Sequence, residues 1–171
     1  MTNEILITKR DGTKVPLDLE KLHKVIFHAC EGITGVSPSQ VELNSSISFY
    51  EGITSSEIQE TMIKSAADLI SEETPNYQLV AGRLISYHLR KVAFNQFEPP
   101  ALIEVVKQNV AHRMYEPKLL EWFTEEEYAT LDSWIDHDRD STFTYAAMEQ
   151  FRGKYLVQDR SNGEIFETPQ F

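Results

Sequence analysis

The residues of this chain with the most chemical potential are basic and lie at element ends. Lys9 and Arg10 precede Asp11-Gly12, Lys21 follows a short apolar run, and Arg90-Lys91 stands late in the first hundred residues. Cations at a turn, a helix start and a helix end can converge on one anion, and phosphate is the anion such a set suits. Scattered Lys and Arg are equally the ordinary content of a solvated surface, so charge placement alone leaves both readings open. No glycine-rich loop competes for the role. With seven Gly, neither G-x-x-x-x-G-K-[ST] nor G-x-G-x-x-G occurs, so any phosphate must be held by side chains.

Other chemistries have less support. His28 and Cys30 are close in sequence, but His23, His88, His112 and His137 are scattered without the spacing of a tetrahedral metal site. Cys30 reads as a small apolar core group. The densest polar cluster, Asp136-His137-Asp138-Arg139-Asp140, has the groups for a divalent ion or an acid/base pair, and equally those of an inter-helix turn with caps and local ion pairs. No Ser or Cys sits in a nucleophile setting such as G-x-S-x-G. Phe49, Tyr50, Tyr87, Trp122 and Trp134 fall at helical core spacing rather than as a stacking platform.

Composition narrows the classes further. The chain has 171 residues, 16 Lys+Arg against 27 Asp+Glu, and a formal net charge of -11. An acidic balance argues against a broad nucleic-acid footprint, which needs clustered cations, but allows single nucleotides. No apolar run approaches the roughly 20 residues of a membrane span. One cysteine permits no internal disulfide, and Met1 to Arg10 lacks the order of a signal peptide, which gives a cytoplasmic expectation.

The elements that must position the basic residues follow from periodicity and caps. Ile5-Leu6-Ile7 and Val15-Pro16-Leu17 flank Asp11-Gly12 as a hairpin. Leu22, Val25, Ile26, Ala29 and Cys30 share one face of a first helix ending near Gly32. Ser37-Pro38-Ser39-Gln40, Thr54-Ser55-Ser56-Glu57 and Thr124-Glu125-Glu126-Glu127 each predict a capping box. A fourth helix follows Pro75 to about Phe94, and Ala101 to His112 suits a fifth. A further helix spans about Thr142 to Phe151, and Asn162-Gly163 separates two short apolar runs as a closing hairpin. The fold class is mainly α: a four-helix bundle capped by a short β-hairpin, then a second helical segment ending in a hairpin. Gln96-Phe97-Glu98-Pro99-Pro100 interrupts helix, and the residues after it are more acidic, so domains are placed at 1–95 and 96–171. The stop at Phe171, just after Thr168-Pro169, reads as a chain cut short.

Several stretches also resemble a known family. Ile7-Thr8-Lys9-Arg10-Asp11-Gly12 with Leu17-Asp18 and Lys21-Leu22 is similar to the ATP-cone, a regulatory nucleotide-binding module. Ile63-Lys64-Ser65-Ala66-Ala67-Asp68-Leu69-Ile70, Gln96-Phe97-Glu98-Pro99-Pro100, Asp136-His137-Asp138-Arg139-Asp140 and Gly153-Lys154-Tyr155-Leu156-Val157 extend the resemblance over essentially the whole chain. Together they resemble the start of the large (alpha) subunit of class Ia ribonucleotide reductase, of enterobacterial or phage type. A zinc-ribbon repressor also carries a cone, but its cysteine-rich module is missing here.

The resemblance implies an overall activity site, where ATP permits and dATP inhibits reduction of ribonucleoside diphosphates. The partners it implies are a small (beta) subunit and other large subunits, with ATP or dATP and Mg²⁺ as the effector. Catalytic cysteines would lie beyond this stretch, so the chain alone would not reduce nucleotides. By position, Lys9, Arg10, Lys21 and Lys91 should contact the triphosphate. Ile7 and the segment Val15, Pro16, Leu17, Asp18, Leu19, Glu20 and Lys21 should close around the nucleotide, and Ser55 should stand near base and sugar. Gln59 and Tyr87 complete the expected set. Strongly dATP-inhibited relatives carry Glu for Val15, Asn for Asp18, His for Gln59 and Phe for Tyr87, which leaves dATP inhibition open. The alternative is a helical docking module with a decayed nucleotide site.

Overall fold

Capping and pairing residues start most of the elements, and the computed structural model describes residues 5–171. Of the N-terminal reading over Met1 to Arg10, residues 1–4 lie outside the described residues. Strands β1 (Leu6–Thr8) and β2 (Lys14–Pro16) pair antiparallel with Ile7 opposite Val15. The expected hairpin turns through Arg10-Asp11-Gly12: the Lys9 amide donates to the Thr13 carbonyl at 2.8 Å, the Gly12 amide to the Lys9 carbonyl at 2.9 Å, and Gly12 adopts φ +82°. Asp11 accepts from the Thr13 amide at 2.9 Å and fixes the loop.

Helix α1 (Leu19–Cys30) follows, with Asp18 as N-cap accepting from the Lys21 amide at 2.9 Å. Helix α2 (Pro38–Ser46) has the expected Pro in its first turn but not the expected capping box. Instead the Tyr77 hydroxyl takes the Ser37 amide at 2.9 Å and donates to Gln40 Oε1 at 2.6 Å. The Tyr77 hydroxyl thus takes the Ser37 amide that the Gln40 side chain would accept in a capping box, and occupies the Gln40 oxygen as well. Helix α3 (Ser55–Ala67) does carry a complete capping box between Thr54 and Glu57.

Helix α4 (Tyr77–Phe94) buries Val80, Ala81, Leu84, Ile85 and Leu89, which needs apolar residues on more than one face. Next come α5 (Leu102–Ala111), a short α6 (Leu119–Trp122) and α7 (Glu125–Asp132). Thr124 and Glu127 form the expected box on α7, and Asp132 accepts from the first amide of α5 at 2.8 Å. A 3₁₀ helix spans His137–Thr142, followed by α8 (Tyr145–Gln150) and a π-helical turn, Phe151–Tyr155. Strands β3 (Gln158–Asp159) and β4 (Glu164–Ile165) close the second hairpin.

The chain clusters into two compact units, one running through Ile85 with Phe143–Ala146 and the other comprising Ser86–Thr142 with Ala147–Phe171. In the first, Ile26, Ala29, Val41, Ile58, Met62, Ala66, Val80 and Leu84 form the core. In the second, Leu89, Val105, Val106, Tyr128, Met148, Leu156 and Phe166 are buried. Cys30 is buried in the first core, and burial pushes its thiol up to about 11, well away from a reactive thiolate. The structure is mainly α with two small hairpins, as the sequence predicts.

Candidate functional site

In the first unit the expected nucleotide residues come from three consecutive supports. The hairpin supplies Ile7, Lys9, Arg10, Val15, Pro16 and Leu17; the first turn of α1 supplies Asp18, Leu19, Glu20 and Lys21; the start of α3 supplies Ser55 and Gln59. What joins the hairpin to α3 is a contact that sequence reasoning missed. The Thr8 amide donates to the Ile53 carbonyl at 3.0 Å, the Gly52 amide to the Leu6 carbonyl at 2.8 Å, and Thr8 bridges in parallel to Thr54. Residues 52–54 thus lie along β1, joined to it by these two bonds and one isolated parallel bridge. Lys9 follows Thr8 and Ser55 follows Thr54, so the basic loop and the α3 N-terminus sit side by side.

The local chemistry of these supports favours an anion. Lys9, Arg10 and Lys21 are all exposed, and partial desolvation pulls the Arg10 guanidinium below its ordinary value. A cation losing hydration is stabilised by a negative ligand. Ser55 opens α3, where backbone amides and the helix dipole present positive potential. Gln59 is one turn further along the same face. Glu57, drawn into the capping box, has its carboxyl held below the usual range by the Thr54 backbone and side chain and by the Tyr50 hydroxyl. Asp18, an acid among expected phosphate contacts, spends its carboxylate on the Lys21 amide of α1.

Tyr87 and Lys91 lie on the later part of α4, in the second unit. There the Tyr87 ring packs against Phe97 with centroids 5.2 Å apart, and Lys91 is exposed. The late basic pair is divided. Neighbouring helical residues point about 100° apart, and Arg90 turns inward, donating to the His137 carbonyl at 2.9 Å. Its other neighbour is Asp140, at 4.0 Å.

The acidic cluster at 136–140 is therefore more than a surface turn. Asp136 caps the 3₁₀ helix locally, its Oδ1 accepting from the Asp138 amide at 3.1 Å. Asp140 is fully buried and accepts from Gln170 at 2.9 Å. Burial raises its pKa against the pull of Gln170 and Arg90, whereas burial and then Arg90 lower that of His137. Among the described residues no three His, Cys, Asp or Glu side chains are grouped to hold a metal.

Sequence reasoning also missed a cleft of about 730 Å³ between α1 and α2, lined by Leu22, His23, Ile26, Glu42, Leu43 and Phe49. His23 and Glu42 meet across it at 2.6 Å. Around this part of the first unit Leu19, Leu43 and Ile47 are 64%, 63% and 77% exposed. The signal in the sequence was a weakly patterned α2, whose Leu43, like Ile47 just after the helix, does not face the core.

Known proteins are similar to this chain over its whole length. A family model described as the ATP cone domain matches residues 5–92. Ribonucleoside-diphosphate reductase 1 subunit alpha of Escherichia coli (strain K12) is 54% identical over all 171 residues, which span 22% of that protein. Ribonucleoside-diphosphate reductase subunit alpha of Haemophilus influenzae is 53% identical over the same 171 residues, 23% of its length. The phage T4 subunit alpha is 40% identical over 167 residues, covering 98% of this chain and 22% of the phage protein. The chain thus spans between a fifth and a quarter of these relatives.

Proposed function

The chain belongs to the ATP-cone family, and from that premise we propose that it is the allosteric ATP- or dATP-binding portion of a ribonucleoside-diphosphate reductase. In such an enzyme it would govern reduction of ribonucleoside diphosphates without supplying chemistry. The single observation that carries this reading is the pairing of β1 with residues 52–54, which brings the Lys9-Arg10 loop beside the α3 N-terminus within the matched region.

In the proposed site Lys9, Arg10, Lys21 and Lys91 neutralise the triphosphate, with Mg²⁺ accompanying the nucleotide. Ser55, Gln59 and Tyr87 read sugar and base, while Ile7 and the run from Val15 to Lys21 close over them. Charge-assisted bonds from several long side chains and a helix N-terminus replace the glycine loop. The activity state would pass to a small (beta) subunit and to other large subunits. The apolar side chains Leu19, Leu43 and Ile47 near the α1–α2 cleft support an assembly face there. We place the protein in the cytoplasm; no helix among the described residues is long and apolar enough to cross a membrane.

The test is the thermal midpoint of the chain with Mg²⁺ and ATP, dATP, GTP or no nucleotide. A ligand at about 100 times its dissociation constant stabilises by about 2.7 kcal/mol, worth roughly 5 to 10 °C for a chain of this size. ATP and dATP should raise the midpoint, GTP should not, and Lys21→Ala should weaken ATP about tenfold, the worth of one charge-assisted contact. No shift with either adenine nucleotide refutes the regulatory site and favours a docking module.

A further inference from the structure

An unpaired strand edge presents amides and carbonyls that must find partners elsewhere. Along β1 the Ile5 carbonyl and the Lys9 amide turn toward β2, where they meet the Leu17 amide and the Thr13 carbonyl, each at 2.8 Å. The period of two then turns Leu6 and Thr8 to the opposite edge. There the Thr8 amide donates to the Ile53 carbonyl at 3.0 Å, and the Leu6 carbonyl accepts from the Gly52 amide at 2.8 Å. Parallel pairing spaces its acceptors evenly, so the Leu6 amide, two residues before Thr8, calls for the carbonyl of residue 51. A turn ends that register first: the Ile53 amide donates to the Tyr50 carbonyl at 3.2 Å, and Gly52 adopts φ +86°. The Leu6 amide is taken instead by a side chain, Glu51 Oε2, at 3.0 Å.

We propose that Glu51 is a positioning residue for the effector site: its carboxylate stands in for the missing strand carbonyl, latches the outer edge of β1, and so holds the Lys9-Arg10 loop beside the start of α3. The inference rests on the reading above, in which that loop holds the triphosphate, and gives control of it to a side chain outside the nucleotide contacts. All the parts belong to the first unit. The far side of the latch is firm. Glu57 of α3 accepts from the Thr54 amide at 2.8 Å and from the Tyr50 hydroxyl at 3.1 Å, which fixes residues 50–54 to the helix at both ends. The near side carries the basic loop, since Lys9 follows the last residue of β1. Unlike the backbone links beside it, the Glu51 bond can be deleted by substitution.

Glu51→Ala removes the acceptor, and Glu51→Gln keeps an oxygen in its place while removing the charge. Amide exchange of the full chain without nucleotide reads the latch directly. Thr8 is the diagnostic amide, because its own acceptor, the Ile53 carbonyl, is untouched by either substitution. Exchange at Thr8 should quicken about two- to tenfold in Glu51→Ala, the worth of one hydrogen bond, and stay within about twofold of wild type in Glu51→Gln. The amide of Leu84, buried in α4, should stay constant throughout. Thr8 exchange that is unchanged in Glu51→Ala, equally fast in both variants, or matched by Leu84 overturns the latch.

Isothermal titration with Mg²⁺-ATP then reads the site. An acid beside a polyphosphate repels it, so charge alone predicts tighter ATP binding in both variants. The latch predicts ATP about two- to tenfold weaker in Glu51→Ala and at least as tight as wild type in Glu51→Gln. Glu51→Ala binding that equals or exceeds wild type, or Glu51→Gln as weak as Glu51→Ala, overturns the positioning role. If the wild-type chain binds no ATP, the regulatory reading fails on its own, and Thr8 exchange still decides whether Glu51 holds the hairpin.

Discussion

Replacing Gly82 with Ala sets two effects of opposite sign against each other. Gly82 lies inside α4, where glycine is about 0.8 to 1.0 kcal/mol less favourable than alanine, so helix propensity alone predicts stabilisation. Packing predicts the reverse. A Cβ at this position would stand 2.1 Å from the Phe143 carbonyl oxygen, 3.0 Å from the Thr144 carbonyl carbon and 3.1 Å from that of Phe143. All three are backbone atoms of Phe143–Ala146, a late segment that folds into the first unit. No side-chain rotation relieves the clash, so the segment must retreat by about 1 Å, and overpacking of this kind costs about 1 to 3 kcal/mol. Backbone resistance puts the cost in the upper part of that range, leaving Gly82→Ala destabilised by about 1 to 2 kcal/mol net. For a chain of this length that lowers the thermal midpoint by roughly 2 to 8 °C. Gly153→Ala is the control, because its Cβ meets nothing within 4 Å. It should leave the midpoint unchanged or raise it slightly. Amide exchange at Phe143–Ala146 should quicken in Gly82→Ala alone. A Gly82→Ala chain that melts higher than wild type refutes the packing argument.

Three further outcomes can be checked by denaturation. Tyr77→Phe keeps the ring of a side chain that is 1% exposed but strips the hydroxyl joining the Ser37 amide to Gln40. The stranded amide should cost about 1 to 2 kcal/mol in urea unfolding, and an unchanged midpoint would deny the relay its role at the start of α2. For Asp140, whose folded pKa is raised, the stabilising contribution is fully present below the unfolded value of 3.8 and lost as pH rises through the folded one. Asp140→Asn should therefore gain on wild type as pH climbs through that window and converge with it below. His137, depressed by burial and then by Arg90, contributes stability above its unfolded 6.5 that is lost as pH falls through its lower folded value. His137→Gln should remove that acid loss, and a parallel pH profile for the wild type and this variant would contradict it.

Local signals were legible wherever their partners lay within a turn or two. Thr54 and Glu57, like Thr124 and Glu127, sit three residues apart, so the chain alone fixes both capping boxes. Ser37 and Gln40 have the same spacing, yet their box does not form because a hydroxyl forty residues away takes the amide. No local rule can foresee that competitor. The basic pair Arg90-Lys91 failed as a pair for a related reason. Helix geometry says the two point apart, but only the buried Asp140 and the His137 carbonyl say which turns inward. The pairing of residues 52–54 with β1 was not legible, since Gly52-Ile53-Thr54 is too short to show alternation.

Asp18 shows how the two levels combine. Read along the chain, it is an acid among cations expected to hold phosphate, and like charges at close range repel. In the fold its carboxylate accepts from the Lys21 amide and lies at the positive end of α1, so part of its charge is already answered before any nucleotide arrives. Asn caps a helix about as well as Asp. In the proposed site the choice between them at position 18 would therefore change the potential felt by a triphosphate while leaving the start of α1 in place. A cap residue of this kind can tune effector affinity without touching the scaffold, because the helix demands only an oxygen and the ligand senses the charge.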